Sequence, residues 1–334
     1  MLLAVRSFAK INFGLKIGPA RADGFHELRT LYQTIALHDT VLVDVQPGSG
    51  IELRCDDPRV PLDLSNTCYR IAQRVFERTK VQASVVIQID KRLPVQGGLG
   101  AASSNAVATM VGLERTLDLR LATEDKLRIA AEVGSDLPLF LIGGTVLGTA
   151  RGEAVYPVHD LPVMHLVVVT TPVGVSTPAA FARWDELMGR RAELTGASGA
   201  GRINELGWDV FSRLSESIIS QALSASEPAS GVPARGGDRA ETPLLDLVRA
   251  GIENDFERVV FPEYPELREV KRVLEGEGAR VASLSGSGST LYGLFDSDEE
   301  AQGAAARMTA AGHAAVPTTT LTREEYWRQM FASD

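Results

Sequence analysis

The stretch Leu93-Pro94-Val95-Gln96-Gly97-Gly98-Leu99-Gly100-Ala101-Ala102-Ser103-Ser104-Asn105 constrains this chain more than any other. Upstream, Ser84-Val85-Val86-Ile87-Gln88-Ile89 is apolar and β-branched, which predicts a strand. Downstream, Val107, Met110, Val111, Leu113 and Leu117 fall at helical spacing between Ala106 and Leu117. A glycine-rich loop therefore joins a strand to a helix N-terminus. Glycines let backbone N–H groups approach an anion closely, and the helix start adds free donors and a partial positive charge. Such a loop binds phosphate. The plain alternative is a tight turn followed by a serine N-cap.

Two familiar phosphate motifs do not fit. A P-loop needs Lys-Ser/Thr after its last glycine, and here Ala101-Ala102 follow. A dinucleotide fingerprint needs Gly or Ala at its sixth position, which counted from Gly98 is Ser103. The missing acidic residue after the next strand also argues against a dehydrogenase.

Composition narrows the classes further. With 334 residues the chain has room for two domains. Its formal charge of -9 disfavours a general nucleic-acid binder, which needs clustered cations. Cys55 and Cys68 form no C-x-x-C, and the five histidines include no H-E-x-x-H, so a structural zinc or a disulfide framework is not expected. The N-terminus meets charge at Arg6, too early for a signal peptide, and no apolar run is long enough to span a bilayer. A soluble cytoplasmic protein with no membrane partner is expected.

In the first half, Ala9 to Ile17 alternates through Ile11, Phe13, Leu15 and Ile17, which predicts a strand with one buried face. Lys10 and Asn12 share its other face, either as solvated side chains or as site residues. After the turn Arg21-Ala22-Asp23-Gly24, Phe25-His26 reads either as a stacking platform for a flat ligand or as local packing. Strands are expected over Thr34–Val45 and Gly50–Cys55. A helix capped by Asn66 follows over Thr67–Lys80, and another begins at Thr123 and stops at Gly134. Asp136 stands between that stop and an apolar run. It reads either as a helix cap or, near a phosphate loop with a lysine beside it, as the carboxylate that activates a hydroxyl for phosphoryl transfer.

In the second half, a strand over Leu166–Thr171 precedes a helix opened by Ser176-Thr177-Pro178 and carrying Phe181 and Trp184. Polar stretches at about 189–207 and 224–242 read as flexible insertions, with a candidate helix over Trp208–Leu223 between them. Then come a helix over Pro265–Leu274, strands over Arg280–Leu284 and Thr290–Phe295, an alanine-rich helix capped by Asp296, and a strand over Ala314–Thr320. This order suggests an α+β sandwich of ferredoxin-like type. Between two of the strands, Gly286-Ser287-Gly288-Ser289 reads as a second anion nest or as a plain tight hairpin.

Taken together, Ser7-Phe8-Ala9-Lys10-Ile11-Asn12, Leu93 to Asn105 and Leu284 to Ser289 resemble the three motifs of the GHMP kinases. Within that superfamily, Ala9 to Asn12 with Arg21 to Leu28 resembles the kinases of 4-diphosphocytidyl-2-C-methyl-D-erythritol. The resemblance covers Ser7 to about Phe181 and Asn254 to Phe295. It implies a two-domain α+β fold, with a ribosomal protein S5 domain 2-like N-terminal domain over residues 1–160 and a ferredoxin-like C-terminal domain over 161–334. It also implies an ATP-dependent enzyme with Mg²⁺ that phosphorylates the 2-hydroxyl of its small-molecule substrate, as a monomer or weak homodimer. Lys10 and Asp136 match the catalytic pair, and Pro94 to Ser104 match the loop around the ATP phosphates. Asn12 and His26 match substrate contacts, while Phe25 and Phe181 match the aromatics that sandwich the cytosine. Three departures stand out: Phe25 where tyrosine is common, Ala101-Ala102 in place of glycines, and longer insertions between about Gly189 and Thr242.

Overall fold

In a computed structural model, the described residues are 2–195 and 253–331. A long antiparallel ribbon of β1 (Leu2–Ala20) and β2 (His26–Gln46) is the axis of the molecule. The alternation in β1 predicts one wet face, but Ser7 to Leu15 are buried throughout. The cause is a change of neighbours along the strand. Val5 and Phe8 enter a core beneath the first sheet, Ala9, Ile11 and Phe13 a core between two sheets, and Leu15 and Ile17 a third core. A register shift between Phe8 and Ala9 marks the first change.

The first sheet adds β3 (Gly50–Cys55), β4 (Ser84–Asp90), β5 (Thr145–Thr149) and β6 (Ala154–Pro157) in the order β3-β4-β2-β5-β6, with β1 on β2. Four helices cover it: α1 (Thr67–Thr79), α2 (Ala101–Thr116), α3 (Thr123–Val133) and the short α4 (Leu137–Phe140). Asn66 caps α1 as expected, its Oδ1 accepting from the Cys68 N–H at 2.8 Å. Helix α2 begins at Ala101, five residues before the apolar periodicity starts, and nearly all of it through Leu113 is buried. Gly134 ends α3 in extended backbone, not the left-handed geometry a C′ glycine suggests.

The second sheet holds β7 (His165–Thr170), β8 (Val281–Leu284), β9 (Leu291–Phe295) and β10 (Ala314–Thr319) in the antiparallel order β10-β7-β9-β8. That is the ferredoxin-like arrangement the element order suggests. Helix α5 (Thr177–Thr195) follows β7, and α6 (Glu257–Glu263), α7 (Pro265–Gly276) and α8 (Asp298–Ala310) pack on the same core. Ser297, not Asp296, caps α8, accepting from the Glu300 N–H at 3.2 Å, while Asp296 pairs with Arg280. Residues 189–195 continue α5, which corrects the expected start of the first insertion. The rest of the stretches at 189–207 and 224–242, and the candidate helix over 208–223, lie outside the described residues.

Two helices, α6 and one near the C-terminus, escaped the periodicity. Helix α9 (Arg323–Met330) is closed by a Thr322/Glu325 capping box and returns to the first core through Tyr326 and Met330. Its Tyr326 hydroxyl donates to the Phe140 carbonyl at 2.7 Å. No helix among the described residues is long and apolar enough to cross a membrane.

A buried carboxylate ties the sheet to the glycine loop. Asp39 of β2 is 0% exposed, and its Oδ1 accepts from the backbone N–H groups of Arg92 and Leu93 at 2.7 Å each. Its Oδ2 accepts from Lys91 Nζ at 2.8 Å and Asn105 Nδ2 at 3.0 Å. Removing the carboxylate strands the nearly buried Lys91 charge and three further donors. Asp39→Ala is therefore expected to lower unfolding stability by about 3–5 kcal/mol, with Asp39→Asn losing less. Urea midpoints check this, and a shift no larger than that of an exposed-residue control would remove Asp39 as the anchor.

Candidate active site

The loop after β4 rims a cavity of about 330 Å³, together with Asn66, Thr67 and Cys68 from the start of α1. Two glycines are obligatory in it. Gly98 has φ +81°, and a Cβ there would lie 2.2 Å from the Ser285 carbonyl oxygen. Gly100, at φ +70°, opens α2 and sits against Phe140 and the Lys10 stem. Ala101 and Ala102 already lie in the helix, so their Cβ atoms are accommodated where the resemblance expects glycine. Pro94 to Ser103 line the cavity, including Val95, Gln96, Gly97 and Leu99. Ser104 points away from it: buried, it accepts from the Ser7 hydroxyl at 2.8 Å. The serine N-cap alternative fails, because Gly100 holds the cap position.

The second glycine-rich loop is stitched to the first. Ser285 Oγ donates to Gly98 O at 2.9 Å, and Thr290 N–H donates to Gly97 O at 3.1 Å. Asn254 Nδ2 donates to the carbonyls of Leu284 at 2.8 Å and Gly286 at 2.7 Å, which holds the loop from behind. Ser287 Oγ pairs with Thr177 Oγ1 at 2.7 Å, tying in the start of α5. A cleft of about 390 Å³ lies between Gln96 and Gly98 on one side and Ser176, Thr177, Ser287 and Gly288 on the other. Ser289 is buried at the loop's end. The segment does turn between β8 and β9, but it is no free hairpin.

Lys10 sits beneath both loops. Its backbone N–H donates to Leu99 O at 3.0 Å, and its side chain is 4% exposed. Its ammonium donates to Asn12 Oδ1 at 2.8 Å and lies 3.8 Å from Asp136 Oδ2. Burial lowers the Lys10 pKa from the ordinary lysine value, and the Asp136 charge pulls it part of the way back. Asn12 is committed at both ends, its Nδ2 donating to Thr30 Oγ1 at 2.7 Å. Asp136 occupies the N-cap position of α4 but makes no side-chain cap bond. Instead its Oδ1 accepts from the Tyr32 hydroxyl at 3.2 Å. Burial, and then the Asp136 charge, push the Tyr32 phenol well above its usual range, so it stays a donor. With its side chain 36% exposed, Asp136 keeps an open side toward an incoming group.

A second cluster lies at the far end of the ribbon. The His26 and Phe181 rings are parallel within 6° with centroids 5.4 Å apart, and Phe256 supports Phe181 edge-on at 5.0 Å. His26 Nδ1 lies 3.1 Å from Gly18 O, and its Nε2 lies 2.9 Å from Asp185 Oδ1. Phe25 is 52% exposed, and the Arg151 guanidinium lies 4.9 Å from its ring centroid. Phe181 therefore pairs with His26 and Phe256, while Phe25 stands on the open side under Arg151.

The sequence picked out Lys10, Asp136 and both glycine loops, but not Tyr32, Thr30, Asn254, Asp185 or Arg151. The register of β1 against β2 carried one usable signal. It sets Asn12 opposite Tyr32 and Lys10 opposite Thr34, so a long ribbon with Lys-x-Asn would point to partners on β2.

Two family models match: the GHMP kinases N terminal domain over residues 66–144 and the GHMP kinases C terminal model over 241–314. A relative from Synechococcus elongatus, 4-diphosphocytidyl-2-C-methyl-D-erythritol kinase, is 34% identical over 305 residues, covering 91% of this chain and 89% of its own. A crystal structure of 4-(cytidine 5'-diphospho)-2C-methyl-D-erythritol kinase superposes with a TM-score of 0.69 at 26% identity, covering 95% of this chain and 99% of that one. Mevalonate kinase from L. major matches in fold alone, with a TM-score of 0.65 at 16% identity over 96% of each chain. By its motifs, its two-sheet fold and this degree of identity, the chain belongs to the 4-diphosphocytidyl-2-C-methyl-D-erythritol kinase family of the GHMP kinases.

Proposed function

We propose that this enzyme transfers the γ-phosphoryl group of ATP to the 2-hydroxyl of 4-diphosphocytidyl-2-C-methyl-D-erythritol. The products are the 2-phosphate and ADP, in the non-mevalonate (methylerythritol phosphate) isoprenoid pathway. The observation that supports this most is Lys10 and Asp136 at 3.8 Å beneath two joined glycine loops. The first loop and the N-terminus of α2 cradle the ATP phosphates with backbone N–H groups, and Gly286 to Ser289 close the seat from the other side. Asp136 takes the proton of the attacking hydroxyl, or orients that hydroxyl. The hydroxyl oxygen then bonds to phosphorus as the bond to the ADP oxygen breaks. Lys10 offsets charge on the transferring group. Asn12 acts on the substrate side by holding Lys10 in place.

Mg²⁺ fits as an ion carried in by the nucleotide. The described residues hold no cluster of three His, Cys, Asp or Glu side chains. Mg²⁺ takes phosphate oxygens and waters with few protein ligands, and the Ser103 side chain on the cavity rim, in the first turn of α2, would be the one to reach it. When bound, the ion neutralises phosphate charge. The nucleotide side falls to residues before about 160, and the acceptor's base to the far end of the ribbon. There Phe25 and Phe181 flank the cytosine and His26 meets its edge. The net charge of -9 argues against a nucleic-acid partner, and we take the enzyme to act on small molecules in the cytoplasm, as a monomer or weak homodimer.

The direct test follows ADP release with ATP, Mg²⁺ and, separately, the cytidine acceptor, homoserine and mevalonate. Turnover with the cytidine acceptor alone is expected, and turnover with another acceptor alone would overturn the substrate assignment. Asp136→Asn is expected to keep nucleotide binding and lose ~10²–10⁴ in kcat. Near wild-type turnover in that variant would remove Asp136 from the chemistry. Phe181→Ala is expected to raise KM for the cytidine acceptor by a factor equivalent to ~1–3 kcal/mol, the range for base stacking on an aromatic. An unchanged KM would place the base elsewhere.

A further inference from the structure

His26 is held in a way that stacking alone does not require. Both ring nitrogens are engaged by acceptors, Nδ1 by the Gly18 carbonyl at 3.1 Å and Nε2 by the Asp185 carboxylate at 2.9 Å. Asp185 follows Phe181 by one turn of α5, so both side chains leave the same face of the helix. The carboxylate is 60% exposed, while the His26 side chain it meets is 8% exposed. A base seated against Phe181 thus meets the exposed Asp185 carboxylate beside the His26 ring.

We infer that Asp185 is a specificity-determining residue that selects cytosine over uracil, by accepting from the exocyclic amine of cytosine beside the edge of His26. Cytosine offers an acceptor at N3 and a donor at its 4-amino group. Uracil carries a carbonyl oxygen in place of that amine and sets it against the carboxylate. That mismatch sets two acceptors face to face with no hydrogen between them, which costs binding. The inference rests on the cytidine-bearing acceptor proposed above.

The test compares kcat/KM of the full chain for two acceptors that differ only in cytosine or uracil. Wild type is expected to favour the cytosine acceptor. Asp185→Asn is expected to cut that preference by roughly tenfold to hundredfold, the span of one good donor–acceptor pair at a base edge, through KM and not kcat. Glu186→Gln, at an exposed neighbour paired with Arg190, removes the same charge from the same helix and is expected to leave the preference unchanged. An active Asp185→Asn enzyme with the wild-type preference would overturn the role of Asp185. A preference lost equally in Glu186→Gln would reduce the effect to helix charge and overturn base reading as well. Failure of wild type to use either acceptor would instead defeat the substrate assignment, and this inference with it.

Discussion

The meeting of two loop backbones at Gly98 and Ser285 is the constraint on which the rest of the site depends. A Cβ at residue 98 would lie 2.2 Å from the Ser285 carbonyl oxygen, far inside van der Waals contact. That approach lets Ser285 Oγ and the Thr290 N–H reach the carbonyls of the first loop. One loop leaves the helix-covered sheet and the other leaves the ferredoxin-like sheet, so these bonds also set the two halves against each other. Beneath them, a core shared by Ile11, Leu99, Leu166 and Tyr292 runs from one sheet to the other. The seat for the phosphates is thus built from backbone held on both sides by packed strands. Its geometry does not depend on the rotamer of any long side chain.

That construction explains why Lys10 is tolerated where it is. A buried ammonium costs free energy unless it is paired and hydrogen-bonded. Asn12 supplies the close neutral acceptor, and Asp136 supplies charge from 3.8 Å without closing onto the nitrogen. A tight ion pair would stabilise the resting site and spend the carboxylate. The looser arrangement leaves Asp136 partly exposed and steadied by Tyr32, which under the proposed function frees it to meet a hydroxyl while the lysine serves the phosphoryl group.

What the sequence disclosed and what it concealed divide along the same physical line. Local rules were legible: the strand–glycine–helix order, the Asn66 cap, the helix opened by Thr177-Pro178, and the strands of the second sheet. Lys10, Asp136 and the loops could be picked out because each sits in a local motif. The concealed parts are pairings distant in sequence. Asp39 reads as an ordinary polar residue of a strand until Lys91, Arg92, Leu93 and Asn105 converge on it. Tyr32 reads as core until β1 and β2 register it beside Asn12. The expected wet face of β1 was wrong for the same reason, since a period of two predicts faces but not what will cover them. Helix α9 was missed because its apolar side is spread over Tyr326, Met330 and Trp327, with too few aliphatic residues to show a period.

The two ends of the ribbon solve two recognition problems with different materials. Phosphates are alike in every nucleotide, so a cradle of backbone N–H groups serves, and side chains there are small or turned away like Ser104. A base must be told from its near relatives, and only side chains can present a chosen order of donors and acceptors at its edge. Under the proposed function, Asp185 beside His26 on the Phe181 platform is such an arrangement. Because β1 runs from beneath the glycine loops toward this platform, its length would then set the distance between the reacting hydroxyl and the recognised base. An acceptor with a short head has nothing to lay against Phe181, so the binding energy of the base is available only to a substrate long enough to span the ribbon.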